Sequence, residues 1–205
     1  FSLAPTKILG AYGDAGIVTT DDKAVADRVK VLRNYGHSLA MEENLLGPEG
    51  QPLWEMEREG FNERLDALQA AVLRAKLPTL DGRIEARRAV ARRYNQRLAG
   101  LQLQMPAEAA DVRHVYRAYA VLVDDPAAVC RHLAGRGIAT RVYYIPLLHE
   151  QPAYRALGYR RGDFPVAEWV ADRTICLPIF PEMTEAQIDE VVDALQECVP
   201  ARTTS

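Results

Sequence analysis

Apolar positions along this chain alternate between a helical period and short β-branched clusters. After Gly10, Gly13 and Gly16 break the backbone, Ile17-Val18-Thr19-Thr20 reads as a strand. Asp21 or Asp22 then caps a helix whose Val25, Val29 and Leu32 share one face, with Gly36 as its stop. Residues 37–60 hold no period and contain Gly47-Pro48 and Gln51-Pro52, which mark a long polar loop with two acidic clusters. A helical stripe resumes at Arg64 and runs through Leu65, Leu68, Ala71, Val72 and Ala75 to Lys76-Leu77-Pro78. The proline breaks or kinks that helix, or opens the next. Residues 80–98 form a second helix rich in Arg and Ala, with Ile84, Val90, Tyr94 and Leu98 available for burial and Gly100 at its end. A long charged helix of this kind commonly bridges two lobes, so the domain boundary is expected near residue 85, dividing the chain into 1–85 and 86–205.

Beyond the boundary the pattern alternates. Residues 116–123 read as a strand, Asp125-Pro126 opens a helix that stops at Gly135, and 137–144 read as another strand. Short helices follow near 151–157 and 165–172, then an apolar strand over 174–177. The last helix starts at the capping-box pair Thr184 and Gln187 and buries Ile188, Val191, Val192 and Leu195 before Pro200. Strands interleaved with helices give an α/β or α+β class, with no internal repeat.

Composition narrows the function classes. The 205 residues are 48% apolar and 26% charged, ordinary for a globular protein, and the net charge of -3 offers no cationic footprint for nucleic acid. No apolar run is long enough to span a bilayer, which argues against a membrane protein. Cys130, Cys176 and Cys198 are odd in number and far from any CxxC spacing, as suits free thiols in a reducing cytoplasm. His37, His114 and His132 lack metal-ligand spacing, so no metal site is expected. The opening Phe1-Ser2-Leu3-Ala4-Pro5-Thr6-Lys7 reads like the inside of a domain, so the sequence is expected to be a piece of a longer protein.

Residue chemistry alone leaves the candidates open. Lys7, between a proline turn and a glycine-rich segment, could form an imine with an aldehyde or be a solvated side chain. The three glycines fit neither a dinucleotide fingerprint nor a P-loop. His149 is an acid, a base, a hydrogen-bond donor or a structural histidine; Tyr143 and Tyr144 end a strand, where aromatic residues are common for packing; Asn62 is by default a helix cap.

A family resemblance sharpens this. The segment from Ser2 to Gly16 (SLAPTKILGAYGDAG) resembles the lysine segment of the DegT/StrS-type nucleotide-sugar aminotransferases, which are fold-type I pyridoxal-phosphate (PLP) enzymes. Further blocks continue the resemblance in family order: Val31-Leu32-Arg33-Asn34-Tyr35-Gly36, then 60–71 from Gly60-Phe61-Asn62, then His149-Glu150-Gln151-Pro152. The stretch 162–168 (GDFPVAE) and Leu177-Pro178-Ile179-Phe180-Pro181 complete it. The resemblance implies an α/β chain that is the C-terminal portion of such an enzyme: the end of the PLP-binding large domain over 1–85 and a small α/β domain over 86–205. It implies that Lys7 holds PLP as a Schiff base and moves protons once freed. By the same resemblance Ser2 bonds the cofactor phosphate, and Asn62 reaches the phosphate in the neighbouring subunit of a homodimer with shared active sites. Tyr144 and His149 would lie in the segment that approaches the sugar. The implied reaction takes nitrogen from glutamate or glutamine to a keto group of a nucleotide-linked sugar, with a lean toward C3 from Leu9-Gly10-Ala11-Tyr12-Gly13-Asp14. Two alternatives stay in view. Sugar dehydratases of the family carry histidine in place of the lysine, so Lys7 speaks for transfer, and intact Ser2, Lys7 and Asn62 argue against a regulatory member that keeps the fold without turnover. Ile145 stands where relatives usually have proline, and the loop 37–60 is longer or more acidic than the family pattern.

Overall fold

The computed structural model describes residues 1–42, 46, 49–50 and 55–202. They divide into two compact units, Phe1–Leu80 and Asp81–Ser205, parting at the first turn of the long charged helix.

In the first unit, helix α1 (Lys23–Arg33) begins where Asp22 accepts hydrogen bonds from the backbone N–H groups of Ala24 (2.8 Å) and Val25 (3.3 Å). It ends as Tyr35 and Gly36 turn left-handed, at φ 59 and 77. Its fully buried residue is Val31, whereas Val25 of the expected face is exposed. A short helix α2 (Leu39–Glu42) follows. The expected structureless loop after residue 37 is partly ordered: Ser38 N donates to Glu55 O at 2.8 Å and Glu57 N to Gly36 O at 2.8 Å. The Gly-Pro and Gln-Pro signals and the acidic Glu43-Asn44 and Trp54 positions fall outside the described residues.

The helix expected from Arg64 starts instead at Ala67, as α3 (Ala67–Lys76), behind Asp66. The preceding residues are held extended by pairing with the end of α1: Phe61 N to Leu32 O at 2.7 Å and Glu63 N to Arg33 O at 2.8 Å. Leu73 is the buried member of α3, packed with Leu3 and Ala11, while Leu65 and Leu68 are exposed. The expected strand over 17–20 makes no ladder. Gly16 bridges Ser2 and Ile17 N reaches Phe1 O at 2.9 Å, after which no neighbouring strand among the described residues takes up the pairing.

A single 3-10 turn (Leu77–Thr79) leads into α4 (Leu80–Leu98), which buries Ile84, Val90, Ala91, Tyr94 and Leu98 as the periodicity predicts. In the second unit strand β1 (Tyr119–Leu122), helix α5 (Pro126–Gly135), helix α6 (Pro165–Ala171), strand β2 (Thr174–Leu177) and helix α7 (Glu185–Cys198) follow. The strands pair antiparallel, Tyr119 opposite Leu177 and Leu122 opposite Thr174. Strand β1 starts three residues later than expected because Tyr116 takes a positive φ of 44. The expected strand over 137–144 reduces to a single bridge, Arg141 with Cys176, and the exposed residues that follow leave the sheet.

The core gathers Tyr94, Leu98, Tyr119, Val121, Leu133, Ile175, Val192 and Leu195, all essentially inaccessible. Removing each such side chain from water contributes about 1.5–3 kcal/mol. The two buried phenols keep their polar ends bonded, Tyr94 to Pro178 O at 2.9 Å and Tyr119 to Asn95 Oδ1 at 2.5 Å, and burial pushes both up from the usual phenol range. Capping at both helix starts follows the sequence: Asp125 accepts from Ala128 N at 2.9 Å, and Thr184 and Gln187 exchange bonds at 2.9 and 3.2 Å. This unit therefore has the expected small α/β form.

Candidate active site

The segment carrying Lys7 is a tight, fastened loop. Leu3 N donates to Ala15 O at 2.9 Å, Ala11 N to Leu3 O at 2.8 Å, and Lys7 N to Ala4 O at 2.9 Å. Gly10 is required for this path, because a Cβ there would stand 2.6 Å from Pro5 O and 2.9 Å from Ala4 O. Helix α3 clamps the loop from one side. Gln69 Oε1 accepts from Tyr12 N at 2.8 Å, and Lys76 Nζ donates to Gly10 O at 2.7 Å while lying 4.4 Å from the Tyr12 ring centre. The two lysines thus differ in situation. Lys76 is spent on the loop, whereas Lys7 is half-buried and its Nζ makes no hydrogen bond or ion pair among the described residues. Ser2 is exposed, with its Oγ only 3.5 Å from Ala4 N, a contact too long to commit the hydroxyl.

Asn62 is not a helix cap, since α3 begins four residues beyond Glu63 and the Asn62 backbone instead bridges Asn34. The pairing leaves the Asn62 side chain exposed on a backbone fixed from both sides. The turn beneath it depends on two glycines: a Cβ on Gly36 would lie 1.8 Å from Arg58 O, and one on Gly60 2.1 Å from Gly36 N. A concavity of about 320 Å³ is lined by Asp14, Ala15, Gly16, Glu63, Arg64 and Leu65. It therefore joins the strand partner of Ser2 to the residues directly after Asn62. Ser2, Lys7 and Asn62 all belong to the first unit.

Tyr144 and His149 belong to the second unit and are placed very differently. Tyr144 is 65% exposed, its ring 5.1 Å from that of Tyr143. The Tyr143–Tyr144 and Ile145–Pro146 peptides are cis. Tyr143, over which Arg117 lies at 5.4 Å, lines an open apolar groove of about 650 Å³ with Leu147, Phe164, Val166 and Val170. The His149 side chain is only 9% exposed, and its Nε2 lies 3.2 Å from Glu168 Oε1. Its ring packs 4.7 Å from that of Phe164.

Glu168 has no role in the sequence reading, yet it organises this corner. Gly162 N donates to both carboxylate oxygens, at 2.8 and 2.9 Å, and Phe164 N donates to Oε1 at 3.3 Å. A sequence signal was available: Pro165 opens α6, and a carboxylate three residues on is placed to reach back to N–H groups ahead of the helix. Burial pushes the Glu168 carboxyl up, but the N–H donors of Gly162 and Phe164 and the His149 ring outweigh it, so the net shift is below the usual carboxylate range. A carboxylate with a depressed folded value contributes stability above its unfolded value, and that contribution is lost as pH falls through the folded value. Melting temperature should therefore drop more steeply below about pH 4.5 in the native protein than in Glu168→Gln. Superimposable acid profiles for the two would remove Glu168 from the account.

Among the described residues no group of three or more His, Cys, Asp or Glu side chains could hold a metal ion, and no helix is long and apolar enough to cross a membrane. What the first unit offers is an unengaged amine, a hydroxyl and an amide on rigid backbone. Those donors suit an anionic, carbonyl-bearing cofactor such as PLP, whose phosphate takes neutral hydrogen-bond donors and whose carbonyl takes an amine.

By similarity the chain falls in the class of aminotransferases. The protein belongs to the DegT/DnrJ/EryC1/StrS aminotransferase family, whose model matches residues 1–196. It is 36% identical to the dTDP-3-amino-3,4,6-trideoxy-alpha-D-glucose transaminase of Streptomyces venezuelae, over 96% of this chain and 49% of that protein. It is equally 36% identical to a protein of Geobacillus stearothermophilus named a pleiotropic regulatory protein, over 96% of this chain and 50% of that one. The crystal structure of S. venezuelae DesV in complex with a ketimine intermediate superimposes with a TM-score of 0.86 at 36% identity, covering 96% of this chain and 50% of that one. The chain spans about half the length of the curated relatives it matches. Its fold is accordingly that of the matching half of the sugar aminotransferases.

Proposed function

We propose that this chain is the C-terminal half of a PLP-dependent aminotransferase that moves an amino group from glutamate or glutamine to a keto group, at C3, of a nucleotide-linked sugar. The observation that carries the reading is the family's lysine loop, clamped by α3, with the Lys7 amine half-buried and unengaged. The similarity to a transaminase named for a 3-amino sugar supports C3. When bound, PLP supplies a carbonyl for the incoming nitrogen and a ring that spreads the electron pair released at the reacting carbon. Lys7 Nζ would hold the cofactor covalently and, once displaced by the amino donor, carry the proton between the cofactor carbon and the substrate carbon. Ser2 Oγ–H and the Asn62 amide would donate to phosphate oxygens, Asn62 in the site of the neighbouring subunit of a cytoplasmic homodimer. Residues 1–85 would then be the end of the PLP-binding domain and 86–205 the small domain, with Tyr144 and His149 beside the sugar.

The test is chemical. Borohydride reduction of the full-length PLP-loaded protein, followed by peptide mapping, should place phosphopyridoxyl on Lys7, and prior glutamate should bleach the cofactor's absorption band. PLP bound with Lys7 unmodified would overturn the assignment. It would favour the dehydratase or the regulatory reading, the latter supported by the equal identity to a protein named as regulatory.

A further inference from the structure

The Glu168 side chain is 9% exposed, and among the described residues its hydrogen-bond partners are Gly162 N on both oxygens, Phe164 N and His149 Nε2. An ionised carboxylate only accepts, so the imidazole nitrogen facing it must carry hydrogen. The arrangement is rigid on each side. Phe164, whose own N–H goes to Glu168, packs its ring 4.7 Å from His149 and lines the apolar groove with Tyr143. Among the described residues His149 Nδ1 makes no hydrogen bond.

We propose that Glu168 is a positioning residue that fixes His149 as the Nε2–H tautomer and sets its ring plane, so that His149 offers a bound ketosugar Nδ1, an acceptor for a sugar hydroxyl. The inference rests on the placing of His149 beside the sugar and deepens it: the site then selects a hydroxyl donor at that position. A carboxylate second partner is the usual way a histidine tautomer is set, because the hydrogen bond made by one ring nitrogen dictates the state of the other. Neutral Nδ1 has a lone pair and no hydrogen, so it rewards a substrate hydroxyl and leaves an acceptor unpaired against a deoxy or keto group there.

Glu168→Leu is the discriminating variant and Glu168→Gln its control. Phe164 N and His149 Nε2 share Oε1, so an amide oxygen placed there still accepts from both and keeps the Nε2–H tautomer, whereas leucine removes the acceptor. Ring-nitrogen NMR of the full-length protein should show protonated Nε2 in the native chain and in Glu168→Gln, and loss of that single tautomer in Glu168→Leu. The KM for the ketosugar should rise about tenfold or more in Glu168→Leu, with the glutamate half-reaction unchanged. In a His149→Gln background Glu168→Leu should add nothing, since its effect passes through the ring. Nδ1–H in the native chain overturns the proposal without recourse to any variant. Loss of the single tautomer in Glu168→Leu with unchanged sugar KM, or equal loss in both half-reactions, overturns it too. The NMR readout needs neither cofactor nor turnover, so a failed Lys7 assignment would show separately in the borohydride map.

Discussion

Lys7→Ala in the full-length protein should lower transamination by about 100- to 10,000-fold, the contribution of a positioned proton-transfer group, with any covalent hold on the cofactor lost in addition. The loop itself should survive. Its shape is set by the Leu3–Ala15 and Ala11–Leu3 backbone bonds, by Gly10 against Pro5, and by Gln69 and Lys76 of α3, none of which involves the Lys7 side chain. The expected signature is therefore lost turnover with a melting curve like that of the native protein. Steady-state rates with a ketosugar substrate and a thermal melt check it together. Turnover within tenfold of native would sink the role of Lys7, whereas a collapsed melting curve would mean that the amine is structural after all.

Gly36→Ala should produce the largest loss of stability of any alanine placed at the described glycines of the first unit. The residue sits at φ 77, which costs an L-residue about 1–3 kcal/mol. Its added Cβ would in addition lie 1.8 Å from Arg58 O, a backbone atom that cannot swing away. Gly158 supplies the control, at φ 78 with no heavy atom within 4 Å of the place its added methyl would take. Gly158→Ala should thus carry the conformational cost alone, and the excess in Gly36→Ala reads the clash. Because Gly36 closes the turn that pairs 32–35 with 61–63, the variant should also loosen Asn62 and weaken PLP retention in the full-length protein. Denaturant unfolding with a PLP-release assay measures both. Equal costs for the two glycines would show that residues 58–60 yield and that Asn62 is not anchored as described.

The second unit was largely legible beforehand because its helices bury one face against a core within the same unit. Ile84, Val90, Tyr94 and Leu98 of α4 and Ile188, Val191, Val192 and Leu195 of α7 follow the 3.6 period and are all buried. Their caps, Asp125 and the Thr184–Gln187 pair, are local interactions that need no tertiary context. The first unit was less legible for the opposite reason. Val25, Leu65 and Leu68 follow a helical stripe yet are exposed, and burial falls on Val31 and on Leu73, the latter packed with Leu3 and Ala11 of the lysine loop.

The sequence by itself therefore determined the class of the chain, its helices and caps, and through family motifs the identity of Ser2, Lys7 and Asn62 as site candidates. Short-range chemistry suffices for the helices and caps, whose periodicity and capping lie within one or two turns of chain, whereas the site candidates rest on the family resemblance. Only the tertiary structure decided that Asn62 is a bridged, extended residue and no cap, that 137–144 leaves the sheet after Arg141, and that Glu168 holds His149. Each of those depends on partners that lie 19 to 35 positions away in the chain, Asn34 for Asn62, Cys176 for Arg141 and Glu168 for His149. No local preference encodes which backbone edge or carboxylate will arrive at that distance, because the pairing is fixed by how whole elements pack.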